Sequence, residues 1–355
     1  MPLKVKEKSP KNKKLEMSPV LTPEQIDDQL YTMCSKNLPL PETEIPKNIM
    51  EELYLVKDPE KVRAVGEAIN FLVEVNPDIL SHAFSSQNKH ADKLAALFVN
   101  HPDNFVELAM VTGTASDFAF KALAVPKLSK LFATNPESVI KSFSEIIEAT
   151  PRNSHSALFA LATPEIAKLF TTDPELVTKS FAEMIRTVPL ASTSALKALA
   201  TPEIAKLFVA NPESVIKSFR EIEEITAGYA LKALATPEIA KLFVANPESV
   251  IKSFRDIAKA TPKDFFGKEP NYFYLSYAFE ALATPEIAKL FATDPELVTK
   301  SFVEIAREVG PRADFAFKAL GKPAVAKKFA NDPGKFVKIA KTAGSNADKE
   351  FLEVK

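Results

Sequence analysis

Catalysis needs nucleophiles, acids and bases at fixed spacing, so the histidines, the cysteine and the hydroxyls set the first limits. The 355 residues contain four histidines, His82, His90, His101 and His155, and one cysteine, Cys34. His82 and His90 lie eight positions apart and share a face only if one helix spans both, yet Ser85-Ser86-Gln87-Asn88 between them reads as a break. Ser154-His155-Ser156 reads as an interhelix loop in which no acid is placed to orient the imidazole, so a nucleophilic triad is unsupported. A single cysteine excludes an internal disulfide framework and Cys-based structural zinc, and it suits a reducing compartment. With only 8 Gly against 27 Pro, Gly-rich phosphate cradles are also unexpected. These residues lead to the expectation of a protein that is not an enzyme and that needs no metal and no cofactor.

Cations offer a second chemistry, the binding of phosphate or carboxylate. Lys141, Lys179, Lys217, Lys252, Lys300 and Lys338 recur at one position of a repeat, and Lys130, Lys168, Lys206, Lys241, Lys289 and Lys327 at another. A stacked row of this kind could track phosphates. However, Lys217 has Glu213 four positions before it and Glu221 four after, and Lys252 has Glu248 and Asp256 in the same places. On a helix such neighbours share a face, so the ladder reads as a solvated, neutralised surface. The N-terminal segment carries Lys4, Lys6, Lys8, Lys11, Lys13 and Lys14 against Glu7 alone. It reads as a mobile solubilising tail, with contact to RNA, the ribosome or an acidic partner as the alternative. No apolar run follows it to make a signal peptide, and none in the chain is long enough to span a membrane. A formal net charge of −1 gives no general pull toward nucleic acid or lipid. A soluble, cytoplasmic protein is expected.

The elements that would carry these residues are set by the prolines. One set falls at Pro126, Pro164, Pro202, Pro237, Pro285 and Pro323, and a second follows ten positions later at Pro136, Pro174, Pro212, Pro247, Pro295 and Pro333. The interval from one unit to the next is constant at three of the five steps, shorter by three from Pro202 to Pro237 and longer by ten from Pro237 to Pro285. Thr163, Thr201, Thr236 and Thr284 precede the first set, while Asn135, Asp173, Asn211, Asn246, Asp294 and Asp332 precede the second. A capping side chain followed by Pro is a helix start, because the cap accepts an orphan amide and Pro lacks one. Each unit therefore reads as three helices: a short one such as Ala195 to Ala200, a second from Pro202 to about Val209, and a third from Pro212 to about Ile225. In the third, Val215, Ile216, Phe219 and Ile222 form one apolar stripe. Helices this short must bury their stripes against neighbouring units.

The array resembles the α-solenoid repeat proteins of the armadillo and HEAT type, and its unit is similar in size to Pumilio-type repeats. The resemblance implies an all-α, right-handed α-solenoid of about seven three-helix repeats with an N-terminal extension, the repeats being of nearly constant length except for the one that carries the insertion. It also implies a surface that binds extended partners. Residues 1–20 read as the basic flexible tail and 21–56 as a short helix and Pro-rich linker. Residues 57–113 read as N-terminal helices and a degenerate capping repeat, 114–343 as six three-helix repeats, and 344–355 as a C-terminal tail. The end units carry Phe105 and Phe336 three positions after the second proline, where the others carry Val, with Phe seven after. That change is expected of caps that meet one neighbour.

The long interval places about ten inserted residues between Thr261 and Ala283. This stretch holds Phe265, Phe266, Tyr272, Phe273, Tyr274, Tyr277 and Phe279. Insertions that break a regular scaffold concentrate binding residues, and Tyr and Phe are favoured anchors. The alternative is that the rings fill a gap between units. The functional expectation is a non-catalytic protein-protein interaction scaffold that uses the aromatic insertion at 263–279, with another protein as partner. RNA or ribosome binding aided by the basic tail is the alternative.

Overall fold

The computed structural model describes residues 21–37, 45–85, 90–226, 228–261, 272–343 and 346–353. All regular structure among them is helical. Three helices come first: α1 (Pro23–Asn37), α2 (Lys47–Leu53) and α3 (Pro59–Val75). Triplets follow: α4 (Ile79–Ala83), α5 (Ala91–Asn100) and α6 (Pro102–Thr112), then α7 (Ser116–Leu123), α8 (Pro126–Thr134) and α9 (Pro136–Ala149). Next are α10 (Ser154–Leu161), α11 (Pro164–Thr172) and α12 (Pro174–Thr187), then α13 (Ser192–Leu199), α14 (Pro202–Ala210) and α15 (Pro212–Thr226). The pattern continues with α16 (Tyr229–Leu234), α17 (Pro237–Ala245) and α18 (Pro247–Ala260), then α19 (Tyr272–Leu282), α20 (Pro285–Thr293) and α21 (Pro295–Val309). The last triplet is α22 (Ala313–Leu320), α23 (Pro323–Asn331) and α24 (Pro333–Ala343), and α25 (Ala347–Glu353) follows it. From α2 to α22, every helix packs against the third helix after it. The chain is thus a tandem helical-repeat structure with a first row (α4, α7 to α25), a second row (α2, α5 to α23) and a third row (α3, α6 to α24).

The two sets of helix starts work differently. In the third row the capping carboxylates and amides do accept first-turn amides: Asp173 from Leu176 N at 2.9 Å, Asn211 from Ser214 N at 3.0 Å and Asp294 from Leu297 N at 2.9 Å. In the second row Thr163, Thr201, Thr236 and Thr284 stand at the N-cap in an extended conformation without a side-chain cap. The Thr201 hydroxyl instead donates to the carbonyl of Ala235 at 3.3 Å, at the end of the next first-row helix, and Thr163 does the same toward Ala200 at 3.5 Å. A residue expected to start its own helix therefore ties one unit to the next.

The same junctions are filled by phenylalanine. The ring seven positions after the second proline meets the second-row ring of the following unit: Phe143 with Phe170, Phe181 with Phe208, Phe219 with Phe243, Phe254 with Phe291 and Phe302 with Phe329. Centroids lie 5.7 to 6.4 Å apart, within the range of favourable ring pairs. All ten rings are buried, as are the Ala-Leu pairs of the first row such as Ala198 and Leu199. Small Ala side chains let first-row helices approach while the rings fill the wider space beneath.

The shortened unit is closed by a glycine. Gly228 precedes α16 at φ +81°, and a Cβ there would stand 1.9 Å from the Cβ of Ala191 in the unit before. The shorter connection between α15 and α16 leaves no room for a side chain, which accounts for Gly in a chain so poor in it.

The ends differ from the sequence expectation. Lys47–Leu53, within the stretch read as short helix and linker, is the helix α2, whose Ile49 and Leu53 are buried and which packs against α5. Residues 344–355, read as a tail, contain α25, which packs on α22, α23 and α24 with Ala347 and Phe351 buried. The units carrying Phe105 and Phe336 therefore have neighbours on both sides. Phe105 lies 5.3 Å from Phe98 and 5.4 Å from Phe132, and Phe336 lies 5.7 Å from Phe329 and 4.9 Å from Phe351. In both units the ring three positions after the proline meets the second-row ring of its own unit. Tail residues Lys4, Lys6, Lys8, Lys11, Lys13 and Lys14 lie outside the described residues.

Candidate functional site

Helical phase sorts the aromatic insertion. Phe265 and Phe266 lie outside the described residues, and Tyr272 opens α19 with its side chain likewise outside them. From Tyr272 onward the rings belong to a helix, not a loop, and α19 is longer by about one turn than its first-row counterparts α13 and α22. Leu275, Ala278, Phe279 and Leu282 fall at i, i+3, i+4 and i+7 and are buried. Phe273 points the other way and is 73 % exposed, while Tyr274 and Tyr277 are half-buried. The packing reading holds for Phe279, which fills the core, while Phe273 faces solvent.

Aligning the first-row helices on the proline that follows each reveals a column missed in the sequence reading. Eight positions before that proline stand Phe118, Ser156, Ser194, Tyr229, Tyr277 and Phe315, and five before it stand Lys121, Phe159, Lys197, Lys232, Glu280 and Lys318. Positions three apart share a helical face, so the row sets rings beside cations. Lys318 Nζ sits 4.2 Å from the Tyr277 ring centroid of the preceding unit and 5.8 Å from Phe315. Lys121 sits 5.0 Å from Phe118, whose edge meets His155 and Phe159. Between α16 and α19, Tyr229, Phe273, Ser276, Tyr277 and Glu280 line a shallow groove of about 290 Å³. Phe315, 44 % exposed, extends the surface onto α22.

No protein-family model, curated protein or solved structure matches this chain.

Acids pair with three of the four lysines in this column. Asp117 pairs with Lys121 at 3.6 Å, Glu280 with Lys232 at 3.7 Å and Asp314 with Lys318 at 4.0 Å. Burial, and then the negative charge of Asp314, push the Tyr274 phenol above its ordinary range, so it remains a proton donor at neutral pH. Three lysines of the third-row ladder pair on their own helices: Lys141 with Glu145, Lys179 with Glu175 and Lys252 with Asp256.

The histidines are dispersed. His155 lies in the first turn of α10, not in an interhelix loop, and its Nε2 is 3.1 Å from the carbonyl oxygen of Thr114. His101 stands edge-on to Phe132, and burial lowers its pKa, helped by the charge of Lys61. Cys34 lies in α1 with its side chain outside the described residues. Among the described residues no three His, Cys, Asp or Glu side chains converge as a metal site, and no single helix is long and apolar enough to cross a membrane.

Proposed function

We propose that the tandem stack is a right-handed α-solenoid of seven three-helix units, α4 to α24, and that it serves in the cytoplasm as a non-catalytic scaffold holding a protein partner on its first-row face. One observation carries the functional part. Tyr229, Phe273, Tyr277 and Phe315 form an exposed or half-buried aromatic surface across α16, α19 and α22, whereas α13 before them carries Ser194 at the ring position. A ring left 73 % exposed adds little buried area to the fold, and Tyr and Phe flanked by paired charges are characteristic of protein interfaces. The test is affinity capture with wild type and with Phe273→Ser/Phe315→Ser. Loss of the bound partner with an unchanged melting temperature supports the proposal, and an unchanged partner set refutes it.

RNA binding is the second reading, since rings set beside cations also suit a single strand. The acids at Asp117, Glu280 and Asp314 weigh against it. A binding constant for single-stranded RNA that does not change with salt removes phosphate contacts from this face.

A further inference from the structure

Third-row helices lie side by side, and the groove between α18 and α21 is lined in a fixed register. The leading helix α18 contributes Lys252, Ser253, Asp256 and Lys259, at the fifth, sixth, ninth and twelfth positions after Pro247. The following helix contributes Glu296, Thr299, Lys300, Val303 and Arg307, at the first, fourth, fifth, eighth and twelfth positions after Pro295. The groove measures about 380 Å³.

Comparison with the preceding junctions isolates what is special here. The twelfth position after the proline is Glu148 in α9, Arg186 in α12 and Glu224 in α15, whereas it is Lys259 in α18 and Arg307 in α21. No earlier pair among α9, α12, α15 and α18 combines two cations there. Elsewhere the arginines of this face are tied up: Arg186 to Glu183, Arg220 to Glu224, and Arg255 across the junction to Glu221. In the α18/α21 groove only Lys252 is paired, with Asp256 at 3.3 Å; Lys259, Lys300 and Arg307 bond to no described residue. Four cations against Asp256 and Glu296 leave an excess of two positive charges.

The floor is unusual as well. The fourth position after the proline is Ile140, Ile216 or Ile251 in α9, α15 and α18, and in α12 it is Thr178, whose hydroxyl donates to the Pro174 carbonyl. Thr299 is 9 % exposed and its Oγ1 has no hydrogen-bond partner. Thr299 and the unpaired cations Lys259, Lys300 and Arg307 line the same groove, which carries its charge excess without an acid to pair them.

We infer that this groove binds an extended acidic peptide segment of a protein partner. Seven residues of helix separate the two cations on each wall by about 10 Å. The walls themselves are about 8 to 10 Å apart. That frame is too wide for one phosphate, but it matches carboxylates three positions apart on one face of an extended polyproline II chain, which has three residues per turn and rises about 3.1 Å per residue. A nucleic-acid strand would need stacking rings, and the only apolar side chain lining the groove is Val303. The inference shares with the scaffold reading only the premise that the ligand is protein, and it concerns a different row.

The test uses the full chain and a fluorescent peptide of the form Glu-Gly-Ser-Glu-Gly-Ser-Glu, read by anisotropy at low and physiological salt. Saturable, salt-weakened binding is expected, with Lys259→Glu/Arg307→Glu losing about tenfold or more in affinity and Lys141→Glu in α9 leaving it unchanged. Both substituted groove residues are exposed, and Lys259→Gln/Arg307→Gln serves where charge reversal lowers the melting temperature. Equal binding of the Gln-substituted peptide overturns the inference. So does unchanged affinity in both groove variants, or tighter binding of a single-stranded RNA of equal charge. Phe273→Ser/Phe315→Ser must leave peptide binding intact, which separates failure here from failure of the first-row proposal.

Discussion

The carboxylate of Glu223 accepts the backbone N–H of Ala191 at 3.0 Å and that of Leu190 at 2.8 Å, tying α15 to the turn that leads into α13. The equivalent position in α9, α12, α18 and α21 is apolar: Ile147, Ile185, Ala258 and Ala306. Glu223 is only 8 % exposed, so it takes the place of a core side chain and in exchange satisfies two amides that a turn cannot pair internally. The same Ala191 is the residue that Gly228 approaches so closely. Together the three residues close the shortened unit.

Glu223 gives the junction a pH dependence with a definite sign. Burial raises its pKa, opposed by the two amide bonds, so the folded state holds its proton to higher pH than the unfolded chain does. Its contribution to stability therefore falls as pH rises through and just above the ordinary carboxylate range. Glu223→Gln removes that dependence while keeping an acceptor, and at neutral pH its denaturation midpoint is expected to equal or exceed wild type. Glu223→Ala strands both amides and costs about 2 kcal/mol. Denaturant midpoints at neutral and mildly acid pH check both signs.

Gly228→Ala is expected to be strongly destabilising, since it combines a left-handed φ with a Cβ overlap against Ala191. Gly321→Ala has an ordinary φ and meets only backbone carbonyls, the nearer being that of Lys318 at 3.4 Å, so it is tolerated by comparison. Paired thermal melts distinguish the two.

Phe254 touches both Phe279 and Phe291 of the next unit. Phe254→Ala is expected to cost about 3 to 5 kcal/mol. Because each unit contacts only its neighbours, hydrogen exchange should accelerate in α18 to α21 and not in α5 to α9. Uniform loosening along the chain would contradict nearest-neighbour packing.

Asp173→Ala removes the acceptor for Leu176 N and is expected to cost about 1 kcal/mol. Thr201→Val removes no cap. It should leave the start of α14 intact and weaken only the bond to Ala235. Exchange rates of first-turn amides in α12 and α14 separate the two outcomes.

The third-row helix starts were legible because capping by Asn135 or Asp173 and the following Pro is local chemistry. The buried ring of Phe219 was legible because its register repeats. What failed depended on neighbours. Thr201 carries the same local signature as Asp173, but the Ala235 carbonyl offers its hydroxyl a partner that only stacking provides. Ser154 begins α10 without a proline, so the start looked like loop. Phe351 and Ile49 gave too short a pattern to announce α25 and α2. The ring column of Phe118, Tyr229, Tyr277 and Phe315 was present in the register all along. Counting back from the first proline, not forward from the second, would have found it.

The most direct test of the first-row surface is site-specific photocrosslinking from Phe273 and Phe315, with Val244, on second-row α17, as control. A photoreactive phenylalanine at positions 273 and 315 is expected to give adducts with the same protein partner, and at position 244 none. No protein adduct from 273 and 315, or the same adduct from all three positions, would contradict a partner held on the first row.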